Sequence, residues 1–136
     1  MKRVLLALAL LNGSLAAAQT AAPAAHHHDT DSRGVYTVIA QAPVKLRDWK
    51  NPYEGQADSI AAGEKLFLQH CAECHGEDAR GAHRSANLRA PGIQRATPGE
   101  LVWFLRNGNL AAGMPSWSGL PTERRWQIVA YLKTLR

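Results

Sequence analysis

The chain has 136 residues, with 16 Lys+Arg against 11 Asp+Glu for a formal charge of +5, and only two cysteines. That length allows one small domain besides any leader or tail. The basic residues are scattered, with neither a basic helix nor an aromatic-interleaved basic patch, which excludes a nucleic-acid binder.

Lys2 and Arg3 precede the apolar run Val4 to Leu11, and Ala16-Ala17-Ala18 supplies small residues for cleavage after Ala18. The pattern predicts a secretory signal peptide over 1–18. As a membrane anchor the run is too short, because Asn12, Gly13 and Ser14 end it well before the roughly 20 residues that span a bilayer. Export implies the periplasm of a bacterium, with no integral membrane segment after the leader is removed. The remaining 118 residues carry a formal charge of +3.

Residues 19–33 are poor in apolar bulk and read as a disordered tail. The tract His26-His27-His28 can hold a divalent metal loosely, but a flexible tail supplies no fixed geometry, so no metal site is assigned to it. Residues 34–56 read as an extended arm. Within it Val35-Tyr36-Thr37-Val38-Ile39 predicts a short strand, and Pro43 and Pro52 mark turns. Trp49 and Tyr53 are expected to anchor this arm on the domain, since large aromatics tend to be buried. The rival reading makes the arm an exposed docking element for a partner.

The compact domain is placed at 57–136. Asp58 or Ser59 is expected to cap a helix from Ile60 through Gln69, with Ile60, Gly63, Leu66 and Phe67 on one stripe. Gly63 costs about 1 kcal/mol relative to alanine inside a helix, so close approach by a second helix is expected there.

Cys71-Ala72-Glu73-Cys74-His75 follows. Two cysteines two residues apart, with histidine directly after the second, are what covalent attachment of a c-type haem requires. The two sulfurs form thioethers with the porphyrin vinyl groups, and the His75 imidazole becomes the proximal iron ligand. A structural zinc site needs four protein ligands, and the chain has no third cysteine. A thioredoxin-like dithiol needs a βαβ context, whereas helix followed by loop surrounds Cys71.

Residues 77–91 are polar and turn-rich, and read as a loop around one haem edge. Thr97-Pro98-Gly99-Glu100 combines a capping box with proline at the first helical position, and Asn107-Gly108 stops the helix that follows. Trp103 is expected near the porphyrin as part of the core. Gly113-Met114-Pro115 then supplies the one thioether left once Met1 departs with the leader. Met114 is therefore assigned as distal iron ligand, with His83 and His70 as competitors. His70 adjoins Cys71 and has difficulty turning to the opposite face. Thr122 and Glu123 open a last helix, whose apolar side holds Trp126, Ile128, Val129, Tyr131, Leu132 and Leu135.

From Ala57 to Arg136 the sequence resembles the class I cytochrome c family. The resemblance is carried by Cys71-Ala72-Glu73-Cys74-His75, Gly113-Met114-Pro115, the Gly63/Phe67 pair and Ile128-Val129-Ala130-Tyr131-Leu132-Lys133. It implies an all-α fold of three or more helices around one low-spin, covalently attached haem. It also implies that Gly63 and Phe67 pack on Ile128 and Tyr131. Within the family, Ser85-Ala86-Asn87-Leu88-Arg89 with Gly99-Glu100-Leu101 is similar to bacterial periplasmic monohaem cytochromes, some of them partners of dehydrogenases. One departure stands out. Family members commonly use the carbonyl of a proline as acceptor for the proximal histidine, and here Ser85 and Ala86 occupy that stretch, which leaves the acceptor for His75 open. The expected function is a monomeric periplasmic one-electron carrier serving redox partner proteins, a dehydrogenase or an oxidase or reductase. The alternatives are a dedicated electron-transfer subunit of a dehydrogenase complex and, third, a ligand-binding or catalytic haem protein with a labile Met114.

Overall fold

The computed structural model describes residues 36–82 and 85–135. The predicted leader, the tail with His26-His27-His28, Val35, His83 and Arg136 lie outside the described residues. Five α-helices carry labels: α1 (Ala57–His70), α2 (Ala72–His75), α3 (Pro91–Gln94), α4 (Pro98–Asn107) and α5 (Thr122–Leu132). Single 3-10 turns stand at Val44–Leu46 and Leu110–Ala112. Among the described residues no strand forms, and the fold is all-α.

The framework is the crossing of α1 and α5. A Cβ on Gly63 would run into the backbone carbonyl of Gln127 and sit 3.1 Å from Tyr131 Cβ, so the two backbones meet where only glycine fits. One turn further on, Phe67 is fully buried with its ring centroid 5.4 Å from that of Tyr131, and Ile128 and Val129 close the same core. The expected pairing of Gly63 and Phe67 with the last helix is present.

The start of α1 differs from expectation. The helix begins at Ala57 on Gln56, and neither Asp58 nor Ser59 caps it. Gln56 instead turns its amide to the Pro52 carbonyl at 2.8 Å. The start of α4 is as predicted: Thr97 Oγ1 accepts from the Glu100 N–H at 3.3 Å, and Glu100 Oε2 accepts from the Thr97 N–H at 2.8 Å. Lys133 ties the end of the last helix to the segment before α4. Its Nζ reaches across to the carbonyls of Gln94 and Ala96.

The segment before α1 packs on the helical core. The strand predicted there is absent, and residues 36–39 are helical, with the Ala40 N–H bonded to the Tyr36 carbonyl at 2.9 Å. β-branched residues prefer strands only where a sheet offers them an edge, and here a helical turn drives Ile39 into the core at 1% exposure. Two polar links hold the segment down and a third braces it internally. Arg47 Nε pairs with the buried Glu100 carboxylate at 3.1 Å, Arg47 Nη2 donates to the Ala40 carbonyl at 2.9 Å, and the buried Asn51 amide donates to the Trp126 carbonyl at 2.9 Å. Tyr53 is half-buried against the core as expected, whereas Trp49 stays 50% exposed.

Gly63→Ala is expected to lower the melting temperature of the loaded protein by several degrees in a circular-dichroism melt. Overpacking against a backbone that cannot rotate away costs about 1–3 kcal/mol, more than the ~1 kcal/mol gained in helix propensity. An unchanged or higher melting temperature would contradict the close crossing.

Candidate functional site

The motif at Cys71 folds as one helical turn. The Cys71 N–H still bonds back to Phe67, and the Cys71 carbonyl accepts from both the Cys74 N–H at 3.2 Å and the His75 N–H at 2.9 Å. Positions i, i+3 and i+4 share a helix face, so Cys71, Cys74 and His75 face the same way. They line a cavity of about 670 Å³, within the range of cofactor sites. Its walls are mostly apolar and come from every element: Ile39 from the N-terminal segment, Phe67 from α1, Leu88 and Ile93 around α3, Leu101, Phe104 and Leu105 from α4, and Ile128 and Leu132 from α5. Exposed Cys74 and Pro115 are also in the lining, so the cavity reaches the surface.

His75 Nδ1 lies 3.0 Å from the Ala86 carbonyl oxygen. A carbonyl can only accept, so Nδ1 carries the hydrogen and Nε2 keeps its lone pair free. The acceptor that the sequence left open is thus the carbonyl of Ala86. Burial lowers the His75 pKa and the bond to Ala86 only partly opposes this, so the ring is held as the neutral imidazole that binds metals. Burial, with the neighbouring charge of Cys74, pushes the Cys71 thiol up to about 11.

Met114 reaches the same cavity from the opposite end of the chain. Asn109 and Met114 exchange both backbone hydrogen bonds, at 2.9 and 3.0 Å, which closes the 3-10 turn between them. The segment after Met114 is tied to the end of α4 by the Trp117 N–H on the Leu105 carbonyl at 2.9 Å and the Ser116 hydroxyl on the Arg106 carbonyl at 2.6 Å. Gly108 makes this approach possible: its φ is +69°, and a Cβ there would meet the Pro115 carbonyl at 2.5 Å.

All four predicted site residues therefore line one cavity. Two side chains depart from the sequence reading. Trp103, expected near the porphyrin, lines a different cavity on the far side of α4. Leu101, Phe104 and Leu105 share one face of that helix while Val102, Trp103 and Arg106 share another, so helical periodicity carried this signal. Trp117 is the tryptophan that lines the site, its ring tilted 53° against that of His70 with centroids 5.3 Å apart. Its place three residues after Met114 was the available clue. His70 also lines the cavity, engaged with that ring.

An apolar cavity open at one edge, two thiols on one helical turn, a neutral imidazole with a free Nε2 and a thioether form a donor set that fits a covalently bound haem. The comparisons agree. Residues 58–132 match the family described as "Cytochrome C oxidase, cbb3-type, subunit III", and the chain belongs to this family of class I c-type cytochrome domains. Membership implies a covalently bound haem c with its iron, and an electron-transfer role. Among curated proteins, the chain is 42% identical over 50 residues to the Cbb3-type cytochrome c oxidase subunit CcoP of Rubrivivax gelatinosus, across 35% of this chain and 16% of that protein. It is 47% identical over 38 residues to the CcoP subunit of Helicobacter pylori (strain 52), across 28% of this chain and 12% of that one. It thus spans under a fifth of the length of these relatives. Among solved structures, cytochrome CL from the marine methylotrophic bacterium Methylophaga aminisulfidivorans MPT superposes with a TM-score of 0.54 at 24% identity, over 61% of this chain and 57% of that one, which shows the shared fold.

Gly108→Ala is expected to destabilise the protein by more than about 1 kcal/mol, because it meets both a left-handed φ and the Pro115 carbonyl. Denaturant unfolding checks this, and a neutral result would remove Gly108 as the reason that the Met114 segment can close on α4.

Proposed function

We propose that the protein is a periplasmic one-electron carrier in which Cys71 and Cys74 hold a single haem c through thioethers, His75 is the proximal iron ligand and Met114 the distal one. The observation that carries this reading is the convergence of these four side chains on one apolar cavity, with His75 oriented by the Ala86 carbonyl. The haem supplies the ferric/ferrous couple. The chain's own residues do the rest. Ala86 fixes the imidazole tautomer and ring plane, which tunes the basicity of the ligand. The Asn109–Met114 backbone pair and the Ser116 bond hold the thioether in place, so that little needs to move between oxidation states. A thioether is soft and favours the ferrous form, raising the potential. The apolar walls exclude water, and the surface near exposed Cys74 leaves an edge at which electrons enter and leave. Such a carrier needs small, weak docking contacts, below ~1,200 Å². The Lys2/Arg3 leader pattern supports export, and among the described residues no helix is long and apolar enough to cross a membrane.

A second reading, a dedicated electron-transfer subunit of a larger oxidoreductase complex, draws on the relatives, which are described as subunits of a cbb3-type oxidase. Stable co-purification with one enzyme at native expression would favour it over the free carrier.

The deciding measurement is the optical spectrum of exported, haem-loaded protein. His75/Met114 ligation gives a low-spin spectrum with the weak far-red band of sulfur-to-iron ligation, unchanged by carbon monoxide, and Met114→Ala loses that band and admits carbon monoxide. Ready carbon monoxide binding by the unaltered protein would remove Met114 as a firm ligand and favour a ligand-binding or catalytic role. The haem is also expected to be structural. Without it the largely apolar walls of this open cavity face water, and a domain of this size has little other core to offset that. A Cys71→Ala/Cys74→Ala variant without haem should therefore be largely unfolded, and native-like helical circular dichroism from it would contradict this.

A further inference from the structure

A second cavity, of about 420 Å³, lies behind α4, on the side away from the first. Three tryptophans line it: Trp49 from the N-terminal segment, Trp103 from α4 and Trp126 from α5. Trp49 and Trp126 stand 6.5 Å apart, centroid to centroid, and Trp49 is half exposed. The polar part of the lining is cationic. Lys45, Arg106 and Arg125 all contribute, and no carboxylate does. Among the described residues the ion pairs are Arg47 with Glu100 and Arg80 with Asp78, so none of these three cations has a salt-bridge partner.

Arg125 is the unusual member. It is only 7% exposed, yet its direct hydrogen bonds all go to neutral groups: Nη1 donates to the carbonyls of Trp117, Ser118 and Leu120, and Nη2 to the Thr122 hydroxyl at 3.0 Å. Glu123 attracts its charge without forming an ion pair, and Arg106 repels it. Arg125 Nε is buried with no partner at all. Buried charges are ordinarily held in a direct ion pair, and one without it beside further cations raises the local positive potential. The fold keeps this arrangement beside three indole rings. Tryptophan and arginine are the residue types that carry most of the energy of protein interfaces, and here they surround a concavity that fits one or two side chains.

We propose that this cavity docks an acidic segment of a partner protein, an aromatic or aliphatic side chain entering between the tryptophans while flanking Asp or Glu carboxylates meet Arg106, Lys45 and the Arg125 region. Charge complementarity selects this occupant: an apolar segment alone gains nothing from Lys45 and Arg106 at the rim, and a basic one is repelled. Helix α4 separates this face from the haem cavity, since Leu101, Phe104 and Leu105 line one and Val102, Trp103 and Arg106 the other. A partner held here tethers the protein while leaving the haem edge open for electron exchange. The inference stands on this face alone and goes beyond the carrier reading by naming a docking site distinct from the transfer edge.

The test is a nuclear magnetic resonance titration of reduced, full-length holoprotein with nitrogen-15 tryptophan, following the indole N–H signals. The probes are an acetylated hexapeptide of the pattern Glu-Glu-Phe-Glu-Leu-Glu, its counterpart with every Glu replaced by Gln, and benzoate. The expected result is a saturable shift of the Trp49, Trp103 and Trp126 signals by the acidic peptide, with Trp117 unmoved. Binding should weaken about tenfold for the Gln peptide and about tenfold in Arg106→Gln, an exposed site at which the fold should tolerate the change. Trp49→Ala, also at an exposed site, should abolish the shift of the other two signals. Any of four outcomes overturns the proposal: no saturable shift, equal affinity for the Gln peptide, shifts confined to Trp117, or benzoate matching the acidic peptide, which would mark a small-anion site instead.

Discussion

The contact between α1 and α5 at Gly63 is the constraint on which the remaining structure depends. With the Gln127 carbonyl occupying the space where a side chain would stand, the two helices can cross only at one depth and one register. That register buries Phe67 against Tyr131 and brings Ile128 and Leu132 alongside the final turn of α1. Cys71 is the next residue, so the crossing decides where the attachment turn sits relative to the apolar walls. A loose crossing would leave the same motif on a helix end with no defined cavity in front of it.

Around that crossing the chain uses backbone carbonyls to position side chains. Ala86 holds the His75 ring, Leu105 and Arg106 hold the segment after Met114, and Gln94 and Ala96 receive Lys133. A carbonyl needs no particular side chain, so alanine serves at position 86 as well as any residue would. Helix α4 lies at the centre of this arrangement. Its two faces line two cavities of opposite character, one apolar with sulfur and imidazole donors, the other walled by indoles and cations. Because a helix of 10 residues is rigid, events on one face need not disturb the geometry of the other.

Much of this was legible in the sequence because the relevant signals are local. The CxxCH spacing, the Thr97-Glu100 capping box, the Asn107-Gly108 stop and the glycine at 63 each act within a turn or so of helix. Short-range chemistry of that kind reads the same in any tertiary context. The misreadings share the opposite property. Val35 to Ile39 is β-prone, but propensity is weak against the burial available to Ile39 in a helical turn. Asp58 and Ser59 were reasonable caps by residue type, yet Gln56 starts the helix. Trp103 turns away from the haem cavity because Leu101, Phe104 and Leu105, three and four residues apart, occupy the face of α4 that lines it.

Sequence by itself therefore determined the class of the protein and its candidate site residues: Cys71, Cys74 and His75 by residue type at fixed short spacing, Met114 as the one thioether beyond Met1, and the all-α fold through the family resemblance. Tertiary structure alone decided the rest. It selected the Ala86 carbonyl as partner of His75, brought Met114 to the cavity 39 residues away in sequence, chose Trp117 over Trp103 as a wall, and gathered Lys45, Arg106 and Arg125 from separate elements onto one face. The physical reason is that these contacts join groups far apart along the chain. Their geometry is set by how helices cross and which backbone groups are left facing one another, and no local pattern of residues records that.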